Sequence, residues 1–125
     1  MSFEPGSLFQ TVRERDAQAE RVGALRSIPT SFELVEDEET GIAFVVRMVD
    51  HLGRKREAAS EQQRTGANPF LPYNRELFVA DVSETHLCLL NKYNVLDHHL
   101  LIVTRSFEEQ ESLLTLEDFE ALWLC

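Results

Sequence analysis

His99-Leu100-Leu101-Ile102-Val103-Thr104 is the stretch on which the fold turns. It is apolar almost throughout and too short for an ordinary helix, the pattern of a central strand covered on both faces. Working back from it, Thr85-His86-Leu87-Cys88-Leu89-Leu90-Asn91 reads as a second strand, with the seven residues Lys92 to His98 as the connection. Leu77-Phe78-Val79-Ala80 reads as a third. Working forward, Thr115 stands three residues before Asp118, the capping-box spacing, so a helix is expected from Leu116. Its residues Leu116, Phe119, Leu122 and Trp123 share a face. Trp123 is expected in the core or at a seam with further chain. The run Leu122-Trp123-Leu124-Cys125 has no closing glycine, basic last turn or polar tail, so the helix reads as cut rather than finished.

Toward the N-terminus the periodicities are equally direct. Pro5-Gly6 break the chain, and Ser7 lies three residues before Gln10, so a capped helix is expected from Leu8. Leu8, Val12, Ala19, Val22 and Leu25 fall on one side of it, and Arg13, Glu14, Glu20 and Arg21 are left for solvent. After Pro29 the period drops to two: Phe32 and Leu34, then Ile42, Phe44, Val46 and Met48. The acidic run Glu36 to Glu39 with Thr40-Gly41 between them supplies a turn, and the pair reads as a β-hairpin. Residues 51–75 show little periodicity and read as a long loop, closed by Asn68-Pro69-Phe70-Leu71-Pro72-Tyr73, whose two aromatics can anchor it.

The 125 residues are 43% hydrophobic and carry a net charge of −10, divided as −3 over residues 1–66 and −7 over 67–125. That suits one domain of 1–125, or the N-terminal part of one, of α/β or α+β class. The acidic balance argues against binding a nucleic-acid backbone, which needs a basic stripe, but leaves room for a nucleotide site. The basic excess is local, at Arg54-Lys55-Arg56. Cys88 and Cys125 form no C-x-x-C pair, which suggests neither a disulfide framework nor a zinc knuckle and makes a reducing cytosol the simplest compartment. No apolar run approaches the ~18 residues of a membrane span, and the first residues lack the pattern of a secretory signal.

The series Asn68-Pro-Phe-Leu-Pro-Tyr, Leu77-Phe-Val-Ala-Asp, Leu89-Leu-Asn-Lys-Tyr-Asn-Val, His99-Leu-Leu-Ile-Val-Thr-Arg, Phe107-Glu-Glu-Gln-Glu and Leu114-Thr-Leu-Glu-Asp-Phe resembles the N-terminal part of the ATP adenylyltransferases. These enzymes are also called diadenosine tetraphosphate phosphorylases and belong to the histidine-triad superfamily. The likeness covers most of these residues, about the first half of a typical member. It implies an α+β, histidine-triad-like fold in which an antiparallel sheet is flanked by helices, incomplete at its C-terminal side. It also implies phosphorolysis of diadenosine tetraphosphate to ATP and ADP through a nucleotidyl-histidine intermediate, in the cytoplasm and commonly with a divalent cation such as magnesium. A site of this kind needs cationic or amide donors on the phosphates beside the nucleophile.

Position by position, Asn91 and Lys92 match the family's Asn-Lys pair that contacts the nucleotide. Lys55 matches a phosphate-reaching lysine after the second strand, although the family often has proline next, where Arg56 stands here. The glycine-led Ser-Gln-x-His-x-His-x-Gln segment is absent from these residues, so no catalytic residue is assigned. His98-His99 lack the alternating pattern and read as strand residues on opposite faces. His86 and Cys88 share a face but are too few for a zinc site. The carboxylates of Phe107-Glu108-Glu109-Gln110-Glu111 read as a solvated face. The resemblance thus implies a segment that supplies nucleotide-binding residues while the nucleophile lies in further chain. The alternative is a non-catalytic nucleotide-binding or interaction module that covers its apolar helix end by self-association.

Overall fold

The computed structural model describes residues 3–49 and 72–125. The expected loop therefore lies outside the described residues as far as position 71, and Lys55 with it. Helix α1 (Leu8–Arg21) buries Leu8, Val12 and Ala19, the stripe its spacing requires. Its start differs from the expected capping box: Ser7 makes no side-chain cap, and its hydroxyl instead donates to the Glu4 carbonyl at 2.7 Å, back across the Pro5-Gly6 turn. Its end comes earlier than the apolar spacing suggests. Gly23, at φ +75°, donates to the Glu20 carbonyl and Ala24 to that of Ala19, the paired bonds of a Schellman motif. Val22 thereby becomes the exposed cap, while Leu25 packs against the core from beyond the helix.

Strands β1 (Thr30–Glu36) and β2 (Ala43–Val49) pair antiparallel along their whole length, from Thr30 opposite Val49 to Glu36 opposite Ala43. The turn is built as its residues demand. Asp37 accepts from the Thr40 amide and hydroxyl, which holds its carboxyl below the usual carboxylate range, and Gly41 takes φ +70°. Among the described residues neither face of this hairpin is covered: Phe32, Leu34 and Val45 are exposed on one side, Val35, Phe44, Val46 and Met48 on the other. The Arg47 guanidinium lies 5.7 Å from the Phe32 ring centroid and shields part of the first face.

The body of the fold is a three-stranded antiparallel meander: β3 (Phe78–Asp81), β4 (His86–Leu90) and β5 (Leu100–Thr104), in that order across the sheet. A single 3₁₀ turn at Arg75–Leu77, capped by the Asn74 carboxamide, leads into it. Tyr73 stacks on Phe78 at 5.4 Å, so this aromatic does anchor the end of the preceding segment. The central strand is β4, every residue of which is buried, and not the apolar run 99–104 that the sequence puts there. Among the described residues β5 pairs on one edge only and is half-buried throughout. A continuous apolar run reports what a strand can bury, whereas pairing decides its place.

Alternation along β4 gives the sheet two faces. His86, Cys88 and Leu90, with Leu100 and Ile102 from β5, face the main core, completed by Val12 and Ala19 of α1 and by Leu77, Val79 and Val82. Leu87 and Leu89 lie on the other face, opposite Val103 and Leu101. Helix α2 (Leu116–Leu124) follows β5 and opens with the expected capping box between Thr115 and Asp118. Its buried side is Ala121, with no accessible surface, whereas Leu116, Phe119, Leu122 and Trp123 are exposed, Trp123 at 90%. Of the two places expected for Trp123 the core is thus corrected, and the seam with further chain is left: α2 turns its small residue to the sheet, because only a short side chain lets the helix approach Cys88 and its neighbours.

Candidate functional site

The C-terminal end of β4 runs straight into the polar residues singled out by the sequence. The Asn91 amide donates to the His99 carbonyl at 2.8 Å, carrying the ladder one rung past Leu90. Its side-chain oxygen then accepts from the Tyr93 amide at 3.1 Å, an Asx turn that ends the strand and presents Asn91 and Lys92 half-buried at the lip of the sheet. The Lys92 ammonium lies 5.2 Å from the Tyr93 ring centroid. The structure therefore brings Asn91 and Lys92 together at one strand end, which is where a rigid scaffold offers polar groups to a ligand. Lys55 is outside the described residues.

Residues the sequence did not flag hold this loop in place. Arg26 donates its amide to the Lys92 carbonyl at 2.7 Å and Ile28 to that of Asn94 at 2.8 Å, so residues 26–28 zip along the loop like an added strand. Asn94 is 6% exposed; its carboxamide accepts from the Ser27 hydroxyl at 2.9 Å and donates to the Leu96 carbonyl at 3.0 Å. Beside it, Ser27, Pro29, Thr30, Arg47, Asn94 and Asp97 line an open cavity of about 280 Å³. An Asn paired across 67 positions leaves no local signature, so sequence spacing had no means of finding it.

The loop returns through His98, whose backbone takes φ +56°. Asp16 of α1 holds it there by accepting from both the His98 amide at 3.0 Å and the Nδ1 at 2.9 Å, and Phe9 packs edge-on at 5.8 Å. His98 is thus a tether between loop and helix. His99 differs: its Nδ1 is buried with no hydrogen-bond partner among the described residues. The atom belongs to the residue paired with Asn91 at the end of the ladder.

The other buried histidine serves α2. His86 is 3% exposed, its Nε2 lies 2.8 Å from Asp118 Oδ1, and its Nδ1 lies 2.9 Å from the Thr85 hydroxyl. Asp118 is thereby both the helix cap and a hydrogen-bond partner of the sheet. The Thr115 amide, followed by His86 and the Thr115 hydroxyl, holds its carboxyl below the ordinary value of 3.8. A carboxyl whose folded pKa is depressed contributes stability above its unfolded value and loses it as pH falls through the folded one. The melting temperature should therefore drop below about pH 4, and Asp118→Asn should flatten that limb. Thermal melts between pH 6 and pH 2 check this, and identical slopes for the two proteins would refute it.

The family model for the Ap4A phosphorylase N-terminal domain matches residues 1–125. The chain belongs to this family. It is 27% identical over 115 residues to diadenosine 5',5'''-P1,P4-tetraphosphate phosphorylase 2 of Saccharomyces cerevisiae, a match covering 90% of this chain and 35% of that protein. The crystal structure of yeast Ap4A phosphorylase Apa2 in complex with Ap4A superposes with a TM-score of 0.76 at 25% identity, covering 98% of this chain and 38% of that one. The same enzyme in complex with AMP gives 0.74 at 24% identity, with 98% and 39% covered. This Ap4A phosphorylase N-terminal domain thus spans little more than a third of the length of these relatives. The α+β architecture expected from the sequence is the one observed.

Proposed function

We propose that the chain forms the nucleotide-contacting N-terminal part of an ATP adenylyltransferase that phosphorolyses diadenosine tetraphosphate to ATP and ADP. The observation that carries the reading is the lip of β4, where Asn91 and Lys92 stand together beside the orphaned His99 nitrogen. The relatives in complex with AMP and with Ap4A support it. Asn91 can orient a ribose or phosphate oxygen, and Lys92 can neutralise charge on the polyphosphate, with Lys55 as a second cation. The histidine nucleophile would come from further chain, since the His-x-His segment is absent from these residues.

Among the described residues no three His, Cys, Asp or Glu side chains group as ligands. If magnesium takes part, the nucleotide's own phosphates are its natural ligands. Among the described residues no helix is long and apolar enough to cross a membrane; the cytoplasmic site of action is what the family resemblance implies. The exposed apolar side of α2 and both faces of the hairpin are the surfaces available to further chain. Self-association of a binding module is the second reading, favoured by Trp123 at 90% exposure, and sedimentation as a stable monomer at micromolar concentration would exclude it.

Titrating AMP into ¹⁵N-labelled protein should shift the amides of Asn91, Lys92 and Tyr93, and Asn91→Ala should weaken the binding about ten-fold, the loss of a good hydrogen bond to a charged group. The 125-residue protein should release no ATP from diadenosine tetraphosphate and phosphate above a buffer blank. Shifts confined to other regions would refute the assignment of the lip, and turnover above the blank would refute a nucleophile outside these residues.

A further inference from the structure

Cys88 and Cys125, which show no motif in the sequence, converge in the fold. Cys88 is fully buried on the core face of β4, in the same cluster as Ala121 of α2. Cys125 lies one turn beyond Ala121, its amide donating to the Ala121 carbonyl at 3.3 Å, so both project from the side of the helix that meets the sheet. Two further features fix that approach. His86, two residues before Cys88 on the same strand face, is hydrogen-bonded to Asp118. Asp118, Ala121 and Cys125 follow each other down one side of α2 at spacings of three and four. The two cysteines consequently converge on the same seam between α2 and β4.

We propose that Cys88 and Cys125 form a reversible redox pair, closing under peroxide to an intramolecular disulfide that bolts α2 to the central strand. Cys125, the exposed member, reacts first. Its sulfur attacks one peroxide oxygen; the S–O bond forms as O–O breaks, and the displaced hydroxide takes the thiol proton to leave as water. The Cys88 sulfur then attacks the sulfenic sulfur; S–S forms, S–O breaks, and hydroxide leaves with the Cys88 proton as a second water. Two thiols lose two electrons and the peroxide is reduced to two waters.

The environment sets the pace. Burial pushes the Cys88 thiol up to about 12, and Cys125 is also held above its ordinary value by burial. Both stay protonated at neutral pH, so the pair is a slow responder to sustained oxidant, and closure should accelerate as pH rises. It needs no partner protein and, unlike the nucleotide lip, no residue outside the described set.

The test is hydrogen peroxide added to the purified protein, followed by denaturation, alkylation of free thiols and intact-mass measurement. The expected product has lost two hydrogens, takes up no alkylating agent, yields one peptide pair joined through Cys88 and Cys125, melts higher than the reduced protein, and reverts with dithiothreitol. In Cys88→Ser the oxidation should stop at Cys125 as a sulfenic acid trapped by dimedone. Cys88→Ala serves the same purpose should the serine hydroxyl disturb the core. Cys125→Ser should leave Cys88 unmodified. Retention of two alkylatable thiols in the wild type, or cross-linking only between molecules through Cys125, would overturn the proposal.

Discussion

Leu87→Ala should destabilise the fold by about 3–4 kcal/mol, the usual cost of removing a fully enclosed leucine whose surroundings cannot collapse. Leu87 is 1% exposed and sits mid-strand in β4, paired through its backbone with Asp81 on one side and Val103 on the other. Those ladders hold the neighbouring strands at fixed spacing, so the vacated volume persists as a cavity. With total stabilities of about 5–15 kcal/mol for ordinary domains, such a loss leaves little reserve. Urea unfolding should show a lower midpoint at unchanged slope. A shift of less than about 1 kcal/mol would mean that β4 is not the enclosed centre of the sheet.

His86→Ala should cost about 2–4 kcal/mol, by a different route. In the Nε2–H tautomer His86 donates to Asp118 and accepts from the Thr85 hydroxyl, so both ring nitrogens are satisfied inside the core. Truncation empties the ring's space and strips Asp118 of its tie to the sheet, leaving that carboxylate only its capping role. Because this bond is what links the start of α2 to β4, amide exchange in residues 116–124 should accelerate more than exchange in α1. His86→Gln, whose amide nitrogen reaches a similar position, should recover part of the loss. Equal acceleration in both helices would show that the effect is general destabilisation and that the latch is not specific.

How much of this was legible differs by element. The five strands announce themselves through period-two or unbroken apolar runs, and the turn at Gly41 and the cap at Thr115 through residues that only suit those positions. Three features escape such reading. Val22 and Leu25 prolong the helical spacing past the point where Gly23 reverses the backbone, because periodicity registers side chains and not φ. The run 99–104 is apolar almost throughout yet lies at the side of the described sheet, because sheet order is set by pairing between distant segments. The bulky side of α2 is its exposed side among the described residues, because a sequence shows which face is apolar and not what stands opposite it. Asn91 and Lys92 are nominated by the family pattern and the structure places them at the end of β4, whereas Asn94, Ser27 and Arg47 meet only after the chain has folded back on itself.

The meander also sets an order of assembly. β3, β4 and β5 are joined by connections of four and nine residues, while α1 reaches the sheet across more than fifty positions of intervening chain. Short loops close early and long ones late, so the three strands are expected to form before α1 docks on them, and low φ-values in α1 beside high ones in β4 would show it. During synthesis α1 emerges before β4 and must wait for it, with the apolar stripe of Leu8, Val12 and Ala19 uncovered in the interval. Helix α1 is therefore made before the surface that buries it.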